Sequence, residues 1–161
     1  MALTNRLALL SRFIGFLEDR LGYQFRVEEE FDKRFRLQKY VFFARFFGLD
    51  LGYDFNLYMH GPYSPELAKD YYELSRRRVR PEGADLPRSF KAEEYVRLLL
   101  NKDDEWLEAA ATILDVWENN KSKPGFDLNK LVHHVSTIKP HIGDDKIKGV
   151  IKDLKNSNLL S

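Results

Sequence analysis

The chain has 161 residues and nearly balanced charge, with 26 Lys and Arg against 25 Asp and Glu and a formal net charge of +1. This length predicts a single domain over residues 1–161, and the charge balance excludes a global field that would attract nucleic acid or a membrane. The absence of cysteine excludes disulfides and thiolate chemistry, and no apolar run is long enough to span a bilayer.

A soluble cytoplasmic protein is therefore the expected class. Aromatic residues make up 14% of the chain, which predicts that large rings rather than aliphatic side chains form much of the core. The charged fraction of 32% without cysteine is also typical of thermophilic proteins.

Two amphipathic helices are predicted at the N-terminal end. The first has Thr4 as its N-cap and Gly22 at its left-handed end. The second, within "FDKRFRLQKYVFFARFFG", is apolar on more than one face, which predicts a central helix that is buried on two sides and ends at Gly48. The inner stripe of the first helix comprises Leu7, Leu10, Phe13, Ile14, Leu17 and Leu21.

The next segment alternates apolar and polar residues over 53–60, which predicts a short strand or an extended loop with one buried side. No partner strand can be located in the sequence. Gly61 and Pro62 are predicted to turn the chain, and Ser64 to cap a third helix that has proline at its first position. The predicted buried side comprises Tyr53, Phe55, Leu57 and Met59.

Four more helices are predicted in the C-terminal part. An Arg-, Pro- and Gly-rich loop over 76–89 is followed by "FKAEEYVRLLLN" and by "DDEWLEAAATILDVWENN", which is capped by Asp103 or Asn101. Asp127 caps the next helix, and a turn at 140–143 precedes the last one. These elements predict a mainly α, single compact helical domain of six or seven helices with at most a small strand element, in which 124–161 could form a C-terminal helical subdomain.

The last two helices and the terminal "NSNLL" resemble the helix pair and the following strand of a winged-helix unit. If they bound DNA, the lysines of the final helix would contact phosphates with little regard to sequence. A solvated lysine face on a packing helix is the favoured alternative, because the helix lacks side chains that read base edges. These lysines are Lys146, Lys148, Lys152 and Lys155.

The densest positive patch is an arginine run that follows the third helix. It could clamp a phosphate or an acidic partner through bidentate guanidinium contacts. Cations at a helix C-terminus are the alternative explanation, although one or two would suffice for that purpose. The run consists of Arg76, Arg77, Arg78 and Arg80.

The histidines do not have metal-ligand spacing, so neither a metal nor a cofactor is expected. His133 and His134 are adjacent and would point about 100° apart on a helix. General acid-base catalysis could be built from His60 with Asp54 or Asp70, but no nucleophile motif, P-loop or dinucleotide fingerprint accompanies it. We therefore do not favour an enzyme.

The order of motifs over residues 35–74, from "FRLQKY" through "GPYS" to "DYYEL", resembles that of the YwgA-like proteins and, more distantly, the Panacea or SocA-like antitoxin domains. The resemblance implies that "GPYS" is a signature turn and that such domains neutralise toxins by protein contact or act as adaptors. It implies no catalytic residue. The matching positions are Leu37, Gln38, Lys39, Tyr53, Phe55, Tyr58, Gly61, Pro62, Tyr63, Ser64, Glu66, Leu67 and Asp70.

Gln38 is a polar exception in the aromatic second helix, and a buried amide needs hydrogen-bond partners. We predict that it bonds the backbone of the "GPYS" turn, so that its replacement by Leu costs about 1 to 3 kcal/mol.

A non-enzymatic protein-interaction module, antitoxin- or adaptor-like, is the first functional hypothesis. Its partner-binding surface would combine His60 and Tyr63 at the turn with the arginine run. A nucleic-acid-binding regulator that uses the lysines of the last helix is the alternative. A small hydrolase or nuclease around His60 is the least favoured.

Overall fold

The computed structural model describes residues 2–81 and 85–160, so residues 82–84 of the predicted loop lie outside the described part. Within that part, seven α-helices and one two-stranded sheet confirm the predicted mainly α fold. The elements are α1 Asn5–Leu21, α2 Phe31–Ala44, a 3₁₀ turn Arg45–Phe47, β1 Asn56–Tyr58, β2 Gly61–Tyr63, α3 Pro65–Arg76, α4 Ala92–Leu99, α5 Asp104–Asn120, α6 Leu128–Ile138 and α7 Asp144–Asn156.

Local side-chain chemistry sets where the helices begin. Thr4, Ser64, Asp103 and Asp127 each accept a hydrogen bond from the backbone N–H three residues later, at 2.8 to 3.2 Å. These bonds satisfy N–H groups that have no partner within a helix. Gly22 ends α1 in the left-handed conformation, with φ 71°. The predicted caps are thus confirmed, with Asp103 chosen over Asn101.

Helices α2 and α5 pack against each other at the centre of the molecule. Ala109, Ala110 and Ala111 of α5 are fully buried, so its backbone can approach several neighbours closely. Helices α6 and α7 pack on α5, and their buried side chains belong to the same hydrophobic cluster as those of α1 to α5. Helices α6 and α7 therefore share the main core.

No helix among the described residues combines the length and the apolar character that crossing a bilayer requires.

The predicted turn at Gly61 and Pro62 is wrong, because these residues begin strand β2. The chain turns at Met59 and His60 instead, and β2 is the partner strand that could not be located in the sequence. Pro62 lies opposite Leu57 in the antiparallel register. Proline has no N–H to donate, so it fits only at such a position between hydrogen-bonded pairs.

The predicted buried side of the extended segment is only partly correct. Tyr53 is buried, but Leu57 is 36% exposed and Met59 is 80% exposed. The reason is that β2 packs against α2 and α5, whereas all three residues of β1 lie exposed on its outer side. Period-two patterning identifies the faces of a strand but does not show which faces the rest of the fold covers.

The predicted hydrogen bonding of Gln38 is confirmed. Its side chain is 1% exposed, with Nε2 donating to the Ser64 carbonyl oxygen at 2.9 Å and Oε1 accepting from the Ser64 N–H at 2.8 Å. This reciprocal pair ties α2 to the start of α3.

We expect Gln38→Leu to lower the free energy of unfolding by about 1 to 3 kcal/mol, because the buried Ser64 N–H loses its acceptor, whereas the Ser64 carbonyl oxygen keeps its bond from the Ala68 N–H. Urea denaturation measures the change. Gln24→Leu is the matched control, because Gln24 is exposed and surface substitutions change stability by less than about 0.5 kcal/mol. Equal effects of the two substitutions would contradict a structural role for the Gln38 bonds.

Candidate functional site

Two buried lysines hold the tip of the β1–β2 hairpin against the helices. Lys39 Nζ, on α2, donates to the Pro62 carbonyl oxygen at 2.9 Å, and Lys139 Nζ, directly after α6, donates to the Met59 carbonyl oxygen. The two lysine residues are only 1% and 3% exposed. Because both bonds reach main-chain oxygens, they fix the backbone of the tip while its side chains face outward.

A pocket of about 370 Å³ opens beside this tip. Large apolar side chains are exposed at its entrance, with Phe31 55%, Tyr58 50% and Met59 80% exposed. The His60 ring stands edge-on to the ring of Phe31, with 5.3 Å between centroids. We call Phe31, Tyr58, Met59 and His60 the aromatic rim. Further rings from α2, β2 and α3 line the interior: Phe35, Tyr63, Tyr71 and Tyr72.

Glycine is required at position 61 because this position touches the base of the site. Its φ is 94°, and a Cβ would lie 3.3 Å from Lys39 Cε and 3.2 Å from Thr112 Oγ1. A side chain here would be strained and would push against Lys39 and α5. Gly61 of "GPYS" therefore leaves room for the buried side chain of Lys39.

Lys39 carries the most perturbed ionisation in the pocket. Burial lowers its pKa from 10.5 to about 7, Glu108 opposes that shift and Lys139 adds to it. The face of the Phe35 ring, with its centroid 4.8 Å from Lys39 Nζ, favours the ammonium form through a cation–π contact. Burial thus brings the ionisation of Lys39 close to neutral pH.

Glu108 lies close to two other basic side chains. Its Oε2 lies 3.1 Å from Lys139 Nζ and 3.4 Å from His141 Nε2. Among the described residues Lys39 itself has no carboxylate within ion-pair distance. Of the two lysines that hold the hairpin tip, Lys139 thus has its own counter-ion, whereas Lys39, which lines the pocket, has none within ion-pair distance among the described residues.

The predicted partner-binding residues divide into two separate groups. His60 and Tyr63 line the pocket at the N-terminal end of α3. Arg76, Arg77, Arg78 and Arg80 lie at and beyond the C-terminal end of this 12-residue helix, about 18 Å away at the usual helical rise. Arg77 forms an ion pair with Glu73 at 3.7 Å. One small surface does not contain both groups.

The acid-base pair considered for His60 is not formed among the described residues. Asp70 accepts hydrogen bonds from Tyr53 Oη at 2.6 Å and from Arg6 Nε at 2.9 Å. Burial and the bond to Asp70 raise the pKa of Tyr53. Asp54 is exposed, and the His60 ring packs against Phe31 and Phe35. Asp70 therefore acts as a structural carboxylate between α1 and α3.

The C-terminal helix pair has only part of the predicted winged-helix arrangement. Lys146 lies 3.7 Å from Glu105, whereas Lys148, Lys152 and Lys155 are exposed on α7. Within the described range, residues 157–160 form no strand after α7. The described residues also contain no group of three or more His, Asp or Glu side chains that could hold a metal ion.

A second hollow, of about 440 Å³, lies on the other side of β1, beside Leu57. Polar groups border it, including Asp115 and Asn119, and burial raises the pKa of Asp115. It lacks the exposed rings of the first pocket, so the aromatic rim and its pocket form the stronger candidate site.

No family model, curated protein or solved structure matches this chain significantly. The geometry of the site is therefore the basis for assigning a function.

The sequence analysis missed three residues of this site. Lys39 had a usable signal: it follows Phe35 by four residues and precedes Phe43 by four, which puts it on a buried face of α2. Lys139 and Glu108 had none, because their contacts with the hairpin and with each other join distant parts of the chain.

Proposed function

We propose that this protein is a non-enzymatic protein-interaction module whose contact surface is the aromatic rim and the pocket beside it. The observation that carries the proposal is the exposure of Phe31, Tyr58 and Met59 around one concavity. Aromatic and methionine side chains are enriched at the centres of protein interfaces, where they fill pockets on the partner or line them.

The anchoring of the hairpin supports the same function. A surface held in place before binding loses less conformational entropy when the partner arrives. The bonds from Lys39 and Lys139 provide such pre-organisation, because they fix the main chain at Pro62 and Met59. The resemblance of residues 35–74 to the YwgA-like and Panacea-like proteins supports an antitoxin- or adaptor-like role for such a surface.

Nucleic-acid binding is the second candidate. The observation that favours it is the exposed face of α7, where Lys148, Lys152 and Lys155 recur at helical spacing. The arginines at 76–80 would extend such a basic surface only if they lay on the same side of the molecule.

The test is a pull-down from native extract, with and without nuclease, followed by affinity measurement with the purified captured protein. We expect Met59→Asp to weaken this affinity at least about tenfold, because a charge would have to be buried in an apolar contact. Met59 is 80% exposed, so the substitution leaves the fold intact.

Leu57→Asp is the matched control, since Leu57 lies on the same hairpin but borders the second hollow. We expect it to retain the partner. Equal losses for both variants, or no loss for Met59→Asp, would contradict the proposed surface. Recovery of nuclease-sensitive nucleic acid alone would favour the second candidate.

A further inference from the structure

The aromatic pocket has an excess of positive charge. Arg34 and Lys39 line it, and no Asp or Glu stands among the described residues that line it. The protein as a whole has a net charge of only +1, so this excess is local. Such a pocket favours an anionic group inside it.

Lys39 can receive that anion. An ammonium group has three N–H donors, and the structure gives Lys39 Nζ one acceptor, the Pro62 carbonyl oxygen. The nearest acidic side chain, Glu108, is occupied by Lys139. A buried cation without a counter-ion is unfavourable. A carboxylate that entered the pocket would neutralise this charge and accept a hydrogen bond from an N–H of Lys39 Nζ that has no acceptor.

Arg34 offers a second contact. Its Nη1 donates to the Val27 carbonyl oxygen at 2.8 Å, and its guanidinium lies 5.6 Å from the centre of the Phe31 ring. The guanidinium has five N–H donors, so this anchoring leaves others for a ligand. The Arg34 cation is thus held in the lining of the pocket, beside Phe31.

The rest of the pocket is apolar and small. Its volume of about 370 Å³ is near the lower end of the roughly 300 to 1,000 Å³ typical of ligand pockets, enough for one large residue. A chain end fits this shape, because its carboxylate and its last side chain leave the same Cα and enter together. An internal acidic residue would need the chain to continue on both sides.

The exposed rim favours a polypeptide over a small acid. A small molecule inside the pocket would leave Phe31 and Met59 in water, whereas the residues preceding a chain end would cover them. We propose, on the basis of the proposed function, that the pocket captures the C-terminal carboxylate of a partner protein whose last residue is aromatic or large and aliphatic.

This capture is coupled to the ionisation of Lys39. Above pH 7 the free protein must take up a proton at Lys39 to form the ion pair, so the affinity falls as the pH rises. From a pKa of about 7, the affinity should fall about tenfold between pH 6 and pH 8. Other charged or titratable groups face this lysine from every packed element: Glu108 on α5, Lys139 after α6, His60 and Tyr63 on the hairpin, Tyr71 on α3 and Arg34 on α2.

The experiment uses fluorescently labelled hexapeptides with the last residue varied, each made with a free carboxylate and with a carboxamide, and a third set with an internal Glu and a carboxamide end. We expect free-carboxylate peptides that end in Phe, Tyr or Leu to bind, and their carboxamides to bind at least about tenfold more weakly. Calorimetry at pH 8 in two buffers of different ionisation enthalpy should show uptake of about one proton on binding.

Three variants separate the contributions. Lys39→Met should abolish both the carboxylate preference and the proton uptake, and His60→Gln should leave the proton uptake in place. Arg34→Gln should weaken carboxylate binding even if Lys39→Met does not fold.

Equal binding of acids and carboxamides, binding only by internal Glu, or no binding by any peptide would overturn the inference. If a purified partner still depended on Met59 in those cases, the proposed function would stand without it. If Met59→Asp did not change the affinity for the partner either, both the proposed function and the inference about the C-terminal carboxylate would fail.

Discussion

Lys39→Met should become less stable relative to the wild type as the pH rises from 7 to 9. In the wild type the pKa of Lys39 is about 7 in the folded protein and near 10.5 in the unfolded chain. Below pH 7 both states are protonated, and the folded state bears the full cost of a buried charge. Above pH 7 the unfolded state binds more protons, so the free energy of unfolding rises by about 1.4 kcal/mol per pH unit.

Urea denaturation of both proteins at intervals between pH 6 and pH 9 measures this difference. Methionine does not titrate, so subtracting the variant removes contributions shared with other groups. Lys69→Met, at an exposed position on α3, is the control. The difference between its free energy of unfolding and that of the wild type should not change with pH. If the difference for Lys39→Met did not change with pH either, Lys39 would be protonated in the folded state throughout this pH range.

Gly48→Ala should cause one of the largest losses of stability by any single methyl group in this protein. Gly48 follows α2 and its 3₁₀ turn with φ 88°, and an added Cβ would lie 2.1 Å from the Ser89 carbonyl oxygen. The obstacle is main chain that cannot swing aside as a side chain would. Ser89 Oγ also donates to the Gly48 carbonyl oxygen at 2.8 Å, so moving this segment would break a bond.

Gly22→Ala is the matched control for this substitution. Gly22 has a similar φ of 71° but nothing within 4 Å of an added Cβ, so it reports only the strain of a left-handed residue, about 1 to 2 kcal/mol. We expect Gly48→Ala to cost a further 1 to 3 kcal/mol or so through overpacking, measured by thermal or urea unfolding. Equal losses of stability in Gly48→Ala and Gly22→Ala would show that the backbone at Ser89 moves aside without a cost in free energy.

Most of the helical fold could be predicted because its signals are local. The caps at Thr4, Ser64 and Asp127 act within one helical turn, so the sequence around each contains all the information it needs. The bonding of Gln38 could also be predicted, since a polar side chain on a helix buried on two sides requires a partner.

The hairpin could not be predicted, because two general rules misidentify it. Gly followed by Pro usually marks a turn. Here Pro62 stands in a strand, opposite Leu57, at a position where the strand pairing requires no N–H from it. Alternation over residues 53–60 predicted a buried Met59, but only three residues pair and the outer strand is left uncovered. Which face is covered depends on α2 and α5, elsewhere in the sequence.

The charged floor of the pocket is a tertiary feature. A lysine within a helix usually lies on a solvated face, and only its neighbours in space make Lys39 an exception. The contact between Glu108 and Lys139 depends on how α5 and the end of α6 meet.

The bond from Lys139 to Met59 joins residues 80 positions apart. A ribosome makes the chain from its N-terminus, so the hairpin and Phe31 are synthesised well before the lysine that holds the hairpin tip. Until then the hairpin has its contacts with α2 and α5, but its tip lacks the bond at Met59. The surface proposed to recognise partners thus cannot reach its final form before residue 139 has been synthesised.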